Sequence, residues 1–178
     1  MRVLGLDLSL TSTGVAFPNG DVITVSSNAD LAIHVRIDGL ATELLTYADD
    51  HSAEWGVDLV VIEDLPPTRA KSIGDLGMLH GVIRDRLFHA DVPFVVVTPA
   101  GLKKYATGKG NCSKNDMLVT AVKRLGYPGS SWDEADALWL RAAGLDAYDE
   151  AVVAMPKAQR DALGKVDWPI LDALGPAA

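Results

Sequence analysis

Val3-Leu4-Gly5-Leu6-Asp7-Leu8-Ser9-Leu10-Thr11-Ser12-Thr13-Gly14 is the stretch on which the rest of the chain depends. Val3–Leu6 has the length and apolar character of a buried strand, and it delivers Asp7 where the chain turns into a Ser/Thr/Gly loop. Charge at the end of a buried strand is costly unless something pairs with it, so a metal ion or a hydrogen-bond network is expected there. The remaining ligands must come from elsewhere in the chain.

Working outward, Thr13–Phe17 reads as a second strand, and Asn19-Gly20-Asp21 is a hairpin signal leading to a third at Val22–Ser26. These three form an antiparallel meander. Apolar positions from about Leu31 to Ala48 take helical spacing and end in Asp49-Asp50-His51. Leu59-Val60-Val61-Ile62-Glu63 is a continuous apolar run of the central parallel type, again ending in an acid. After Leu65-Pro66-Pro67-Thr68, helical periodicity spans Ile73–His89, with Gly74, Gly77 and Gly81 three and four apart. Glycine weakens a helix, so these three point to close backbone approach by the sheet or by a second subunit.

Val92–Val97 is the next strand, and Thr98-Pro99 starts a short helix to about Tyr105. A loop at 106–112 precedes Ser113-x-x-Asp116, a capping box for a helix over Lys114–Leu125, and Ser131-x-x-Glu134 caps another over 132–143. Pro156–Lys165 is a weaker helix, and Trp168-Pro169 begins a tail that packs on the body. Short right-handed crossovers set the first strand beside the fourth, giving an α/β fold with a mixed five-stranded sheet, three strands antiparallel and two parallel, flanked by helices. Asp7 and Glu63 then end adjacent parallel strands at the edge where such sheets bind ligands.

On the helix at 132–143, Asp133 and Asp136 share a face, whereas Glu134 turns away and serves as the capping-box acid. Asp7, Glu63, Asp133 and Asp136 together suit two Mg²⁺ or Mn²⁺ ions roughly 4 Å apart, as used in phosphodiester hydrolysis. Each acid alone reads as a surface or capping carboxylate; the combination reverses that. The four histidines, at 34, 51, 80 and 89, fall in or beside helical patterns and read as structural.

The 178 residues, 48% of them hydrophobic, fit one compact domain with a sizeable core. No apolar run approaches the roughly 20 residues of a membrane span, so a cytoplasmic protein with no membrane contact is expected. The single cysteine, Cys112, excludes an internal disulfide and a multi-thiolate metal site. The net charge of −8 is uneven: residues 1–68 hold 2 basic and 11 acidic side chains, 69–124 hold 10 and 4, and 125–178 hold 4 and 9. The local field decides polyanion binding, so a basic strip beside an acidic pocket is compatible with nucleic acid.

Gly5-Leu6-Asp7 with Thr13-Gly14, Val61-Ile62-Glu63, Gly108-x-Gly110 with Lys114, and Asp133-Glu134-Ala135-Asp136-Ala137-Leu138 resemble, in order and spacing, the RuvC family of Holliday-junction resolvases. The resemblance covers roughly residues 1–143. It implies an RNase H-like fold, a homodimer, and metal-dependent nicking of branched DNA at four-way junctions, with no small organic cofactor. Carried over residue by residue, Asp7, Glu63, Asp133 and Asp136 are the catalytic metal ligands, and Lys109 and Lys114 are phosphate contacts. Arg69, Lys71 and Lys104 join them as DNA-binding candidates from the basic middle third. Gly77 and Gly81 match the element such resolvases use to dimerise. The chain departs from the pattern at Leu8-Ser9, where Pro-Gly is common, and at Pro66, where some relatives carry an aromatic.

The expected division is a nuclease domain over residues 1–145 and a C-terminal extension over 146–178 packing on it. Two further readings stay open at this level. A sugar-kinase or actin-like ATPase also pairs a strand-end acid with a Ser/Thr/Gly loop, although no second copy of the β-β-β-α-β-α unit is present here. A catalytically inactive junction-binding module is the other.

Overall fold

The computed structural model describes residues 1–48, 56–67 and 72–171. Strands β1 (Val3–Asp7), β2 (Thr13–Ala16), β3 (Val22–Val25), β4 (Leu59–Glu63) and β5 (Phe94–Val97) form one sheet in the order β3-β2-β1-β4-β5. β1, β2 and β3 pair antiparallel, while β4 joins β1 and β5 in parallel. This is the mixed topology that the strand patterns predict. The helices are α1 (Ile33–Ala48), α2 (Ser72–His89), α3 (Pro99–Thr107), α4 (Lys114–Thr120), α5 (Trp132–Ala147) and α6 (Lys157–Arg160), the last followed by a 3₁₀ turn at Asp161–Leu163.

The twofold alternation of a strand divides the core between the two faces of the sheet. Leu4, Leu6, Val60 and Ile62 point into a cluster with Ile37, Leu40 and Leu44 of α1 and Leu79, Ile83 and Leu87 of α2. Val3, Leu59, Val61, Val95 and Val97 point the other way, toward Leu102 and Tyr105 of α3, Met117 of α4 and Trp139 of α5. Asp7 and Glu63 continue the Val3-Gly5 and Leu59-Val61 alternation. Both acids therefore emerge on the α5 side.

Helix α5 lies directly on the backbone of β1 and β2. A β-carbon on Gly5 would stand 2.2 Å from the Ala137 carbonyl oxygen, and one on Gly14 would stand 2.0 Å from that of Asp133. Any other residue would lift the helix. The β1–β2 loop satisfies its own polar groups: Thr13, fully buried, donates from Oγ1 to the Ser9 carbonyl at 2.6 Å and accepts from Ser9 N–H at 3.0 Å. Arg36 of α1 donates to the Leu10 carbonyl at 2.9 Å. The hydroxyl-rich composition is thus spent on closing the turn.

Several boundaries differ from the sequence expectation. α3 runs on to Thr107 and stops at Gly108, whose φ of 83° is readily accessible only to glycine. The helix expected over Lys114–Leu125 breaks after Thr120 into a π turn, Ala121–Leu125, closed by Gly126 at φ 71°. Ser113 and Asp116 do form a capping box. Ser131 caps α5 by accepting from Glu134 N–H, but Glu134 does not reciprocate; its carboxylate accepts from Tyr127 Oη at 2.5 Å and Thr24 Oγ1 at 2.9 Å, and Tyr127 Oη takes the Ser131 N–H. A hydroxyl distant in sequence has displaced the local partner.

Close approach at the α2 glycines is not made within the described residues. Nothing comes within 4 Å of a β-carbon on Gly74 or Gly81, and Gly77 meets only Leu65 Cδ1 at 3.8 Å. The C-terminal segment is tied down by polar contacts. Arg160 Nη2 lies 3.0 Å from the buried Asp146 carboxylate, Gln159 donates to the Tyr105 carbonyl at 2.7 Å, and Tyr148 Oη donates to the Pro169 carbonyl at 2.6 Å. Among the described residues no helix is long and apolar enough to cross a membrane.

Candidate active site

In the parallel β1–β4 pair, Leu6 stands beside Ile62, so the next residues, Asp7 and Glu63, leave the sheet together. Seating α5 on Gly5 and Gly14 brings its first two turns over that edge. Asp136 faces it from a site only 5% exposed, with Asp133 one turn earlier. All four acids line one pocket of about 300 Å³ with Leu8, Ser9, Asp64, Pro66, Leu76, His80, Pro99, Lys103 and Lys114.

The carboxylates strain against their surroundings. Burial, then the charges of Glu63, Asp136 and Asp133, hold Asp7 well above the usual carboxylate range. Burial and the charge of Asp136 push Glu63 up to about 7, against the opposing pull of Lys103, Asp7 and Lys114. Asp136 is raised to about 6, chiefly by burial, with Lys114 restraining the rise. Lys114 is raised as well: despite burial, the charges of Asp133, Asp7 and Asp136 lift its pKa and favour its charged form. The site therefore favours positive charge, whether a proton, an ammonium or a cation.

Asp133 is engaged sideways, accepting from Ser12 Oγ at 2.6 Å and pairing with Lys114 Nζ at 3.4 Å. Asp136 Oδ1 is buried with no hydrogen-bond partner. Among the described residues, no three His, Cys, Asp or Glu side chains already stand close enough to hold an ion between them. The donor chemistry nevertheless fits a hard divalent cation. The site's four acids offer carboxylate oxygens, one of them buried and unpaired, in a cluster whose charges repel one another.

Of the other sequence candidates, Lys114 lies at the pocket, whereas Lys109 and Lys104 are exposed away from its lining. Arg69 and Lys71 lie outside the described residues. Gly77 and Gly81 sit on α2; Gly81 opens onto a groove formed with Ile33, Ile37, Met78 and Val82.

Two pocket residues were not among the expected site residues: Lys103, and His80, which reads as structural from sequence. Lys103 lines the pocket where Lys104 was expected. Helical phase carried the signal: with Leu102, Tyr105 and Ala106 buried, residue 104 falls opposite the core stripe and residue 103 flanks it. His80, 3% exposed, also lines the pocket, with Arg84 Nη2 3.3 Å from its Nδ1 and the same nitrogen 3.3 Å from Asp64 Oδ1. Burial and the Arg84 charge lower its pKa to about 4, so it is neutral near pH 7. An always-charged guanidinium against Nδ1 makes that nitrogen the acceptor and leaves the proton on Nε2. Nothing in its local sequence marks it.

No protein-family model matches the chain. Among curated proteins it is 31% identical over 157 residues to the crossover junction endodeoxyribonuclease RuvC of Nocardia farcinica, covering 79% of this chain and 78% of that one. It is 28% identical over 166 residues to the protein of the same name from Thermomicrobium roseum, covering 83% and 99%. Among solved structures, Thermus thermophilus RuvC superposes with a TM-score of 0.65 at 19% identity, over 86% of this chain and 100% of that one. The same protein in complex with a Holliday junction substrate gives 0.66 at 19% identity, over 86% and 99%. At that identity the structural likeness establishes the RNase H-like fold.

Proposed function

The chain belongs to the RuvC family of crossover junction endodeoxyribonucleases, and from that premise we propose that it resolves four-way DNA junctions by metal-dependent hydrolysis of phosphodiester bonds. The observation that carries this reading is the convergence of Asp7, Glu63, Asp133 and Asp136 on one pocket that also presents Lys103 and Lys114.

Asp7, Glu63, Asp136 and Asp133 would hold two divalent ions, Mg²⁺ or Mn²⁺, which when bound supply Lewis-acid activation of water and of the scissile phosphate. The chain's own residues do the rest. Asp7 is central, because it is deeply buried and the charges of all three other acids bear on it. Lys103 and Lys114 offer ammonium groups to the phosphate and hold the acid cluster together between turnovers. Asp133 would be among the residues that hold the cation, and Lys114, its partner at 3.4 Å, would offer its ammonium to a DNA phosphate. Ser12 Oγ steadies Asp133 by its hydrogen bond. Lys109, Lys104, Arg69 and Lys71 extend the field that attracts the polyanion.

A four-way junction presents two equivalent strands for cutting, which suits a homodimer with one site per strand. The α2 face is where a second copy would dock: Gly81 is open there, and Met78 is 47% exposed beside it. Residues 1–145 carry the chemistry, and within the C-terminal extension Arg160 and Gln159 tie the described part, 146–171, to the body.

The test is nicking of four-way, bubble and linear DNA in Mg²⁺ by the native chain and by Asp7→Asn. The expected outcome is junction-selective nicking by the native chain and none by the variant, which still binds junctions. Cleavage by Asp7→Asn at the native rate refutes the assignment.

A further inference from the structure

α5 begins with Trp132, a residue 51% exposed. Trp139 in the same helix is fully buried, and Trp168 packs edge-on against Tyr148 with ring centroids 6.3 Å apart. A large aromatic left half in water beside a cluster of acids contributes little to the core.

Its placement is well determined. Ser131 fixes the first turn of α5 by accepting from Glu134 N–H at 3.3 Å, and Gly14 presses on the backbone of Asp133 and Glu134 from below. At 100° per residue, Trp132 stands about 40° around the helix from Asp136, and Asp136 falls between Trp132 and Asp133. The indole therefore continues the acid-bearing stripe of α5 outward by one turn. Side chains on a helix lean toward its N-terminus, which carries the ring away from the pocket floor and over its outer edge. Lys114, bound to Asp133 at 3.4 Å, provides positive charge on the same edge.

We infer that Trp132 is a stacking platform for a nucleobase next to the phosphate held at the acids. The inference rests on the endonuclease reading above and specifies what that site recognises. An indole face takes any base whose own face is free, and alanine replacement at such contacts typically weakens binding by about fivefold to a hundredfold. Continuous duplex has no free base faces, whereas the branch point of a junction offers them wherever strands exchange. Trp132 thus adds selectivity for branched over linear DNA, and Lys103 and Lys114 contribute phosphate contacts common to both. The occupant is a base, because Trp132 shares its stripe of α5 with Asp136 and Asp133, which line the pocket proposed to take the phosphate, and Lys103 and Lys114 bring positive charge to that pocket.

The experiment uses the full chain and its Trp132→Phe, Trp132→Leu and Trp132→Ala variants, each with its melting temperature recorded. Binding of a four-way junction and of linear duplex is measured in Ca²⁺, with 2-aminopurine at the branch as a stacking reporter; cleavage is then measured in Mg²⁺. Trp132→Ala and Trp132→Leu are expected to lose about tenfold or more in junction affinity and to lose the 2-aminopurine response. Trp132→Phe should stay within about threefold of native, and duplex affinity should not change in any variant. Equal behaviour of the Leu and Phe variants overturns the inference, since both are apolar and only one has a ring. Native junction affinity in Trp132→Ala overturns it as well. If the native chain neither binds nor nicks junctions, the endonuclease reading fails too, and this arm separates the two failures.

Discussion

Replacing Gly14 by alanine adds one methyl group, and the fold gives it no room. The added carbon would stand 2.0 Å from the Asp133 carbonyl oxygen, 2.4 Å from its carbonyl carbon and 3.0 Å from Glu134 N. All three are backbone atoms, so no side chain can rotate aside. Restoring ordinary contact requires the first turn of α5 to lift by at least about 1 Å. Overpacking of this kind costs roughly 1–3 kcal/mol of stability, or a fall in Tm of about 2–9 °C at this chain length. The functional loss should be larger than the stability loss suggests, because Asp133 and Asp136 move with the helix while Asp7 and Glu63 stay on the strands. A misplacement of that size costs about a hundredfold in rate. Single-turnover cleavage of a four-way junction in Mg²⁺ reads the rate, and thermal melting reads the stability. Gly39→Ala is the matched control: its β-carbon meets nothing within 4 Å, so it should cut normally and melt slightly higher. If Gly14→Ala cleaves and melts like the native chain, bare backbone contact is not what seats α5.

The pH response has a definite sign. Glu63 at about 7 and Asp136 at about 6 are raised above ordinary carboxylates, so their contribution to stability is present below about pH 4 and is lost as pH rises through 6 and 7. In EDTA the Tm should fall from pH 5.5 to 8, and Glu63→Gln should flatten the fall; an unchanged slope in that variant would show that the acids do not repel one another as described. Lys103→Ala should weaken junction binding and reduce the logarithmic salt slope by about 1, with a smaller loss of affinity for Lys104→Ala; the reverse ranking would refute the pocket assignment. Arg160→Ala leaves the buried Asp146 without its ion pair at 3.0 Å. Because the guanidinium is half exposed, a loss of about 1–3 kcal/mol is expected in urea unfolding, short of the full cost for a buried pair.

Strand order and the convergence of acids were legible because both follow from patterns local in sequence. Two apolar runs ending in Asp7 and Glu63 carry their own alternation, and an i, i+3 pair on a helix needs no tertiary information to share a face. What the sequence did not disclose depends on contacts across the fold. Glu134 looks like a capping-box acid until Tyr127 Oη reaches it at 2.5 Å. His80 reads as an ordinary helix position until α2 is laid against the exit of β4. Lys103 and Lys104 differ only in helical phase, which the burial of Leu102, Tyr105 and Ala106 fixes. The π turn at Ala121–Leu125 has no counterpart in residue spacing at all.

Because Leu4, Leu6, Val60 and Ile62 pack one way and Val3, Gly5, Leu59 and Val61 the other, the sheet separates two histories of mutation. Changes on the outward face around Met78 and Gly81 would alter what a second copy or a new partner meets, while Leu76 and His80 of α2 stay tied to the pocket and the opposite layer keeps its acids in register. Bare backbone contact sets that register between α5 and the sheet at Gly5 and Gly14, two positions where an added β-carbon has no room. A lineage could exchange its assembly surface many times over and still retain the same cutting geometry.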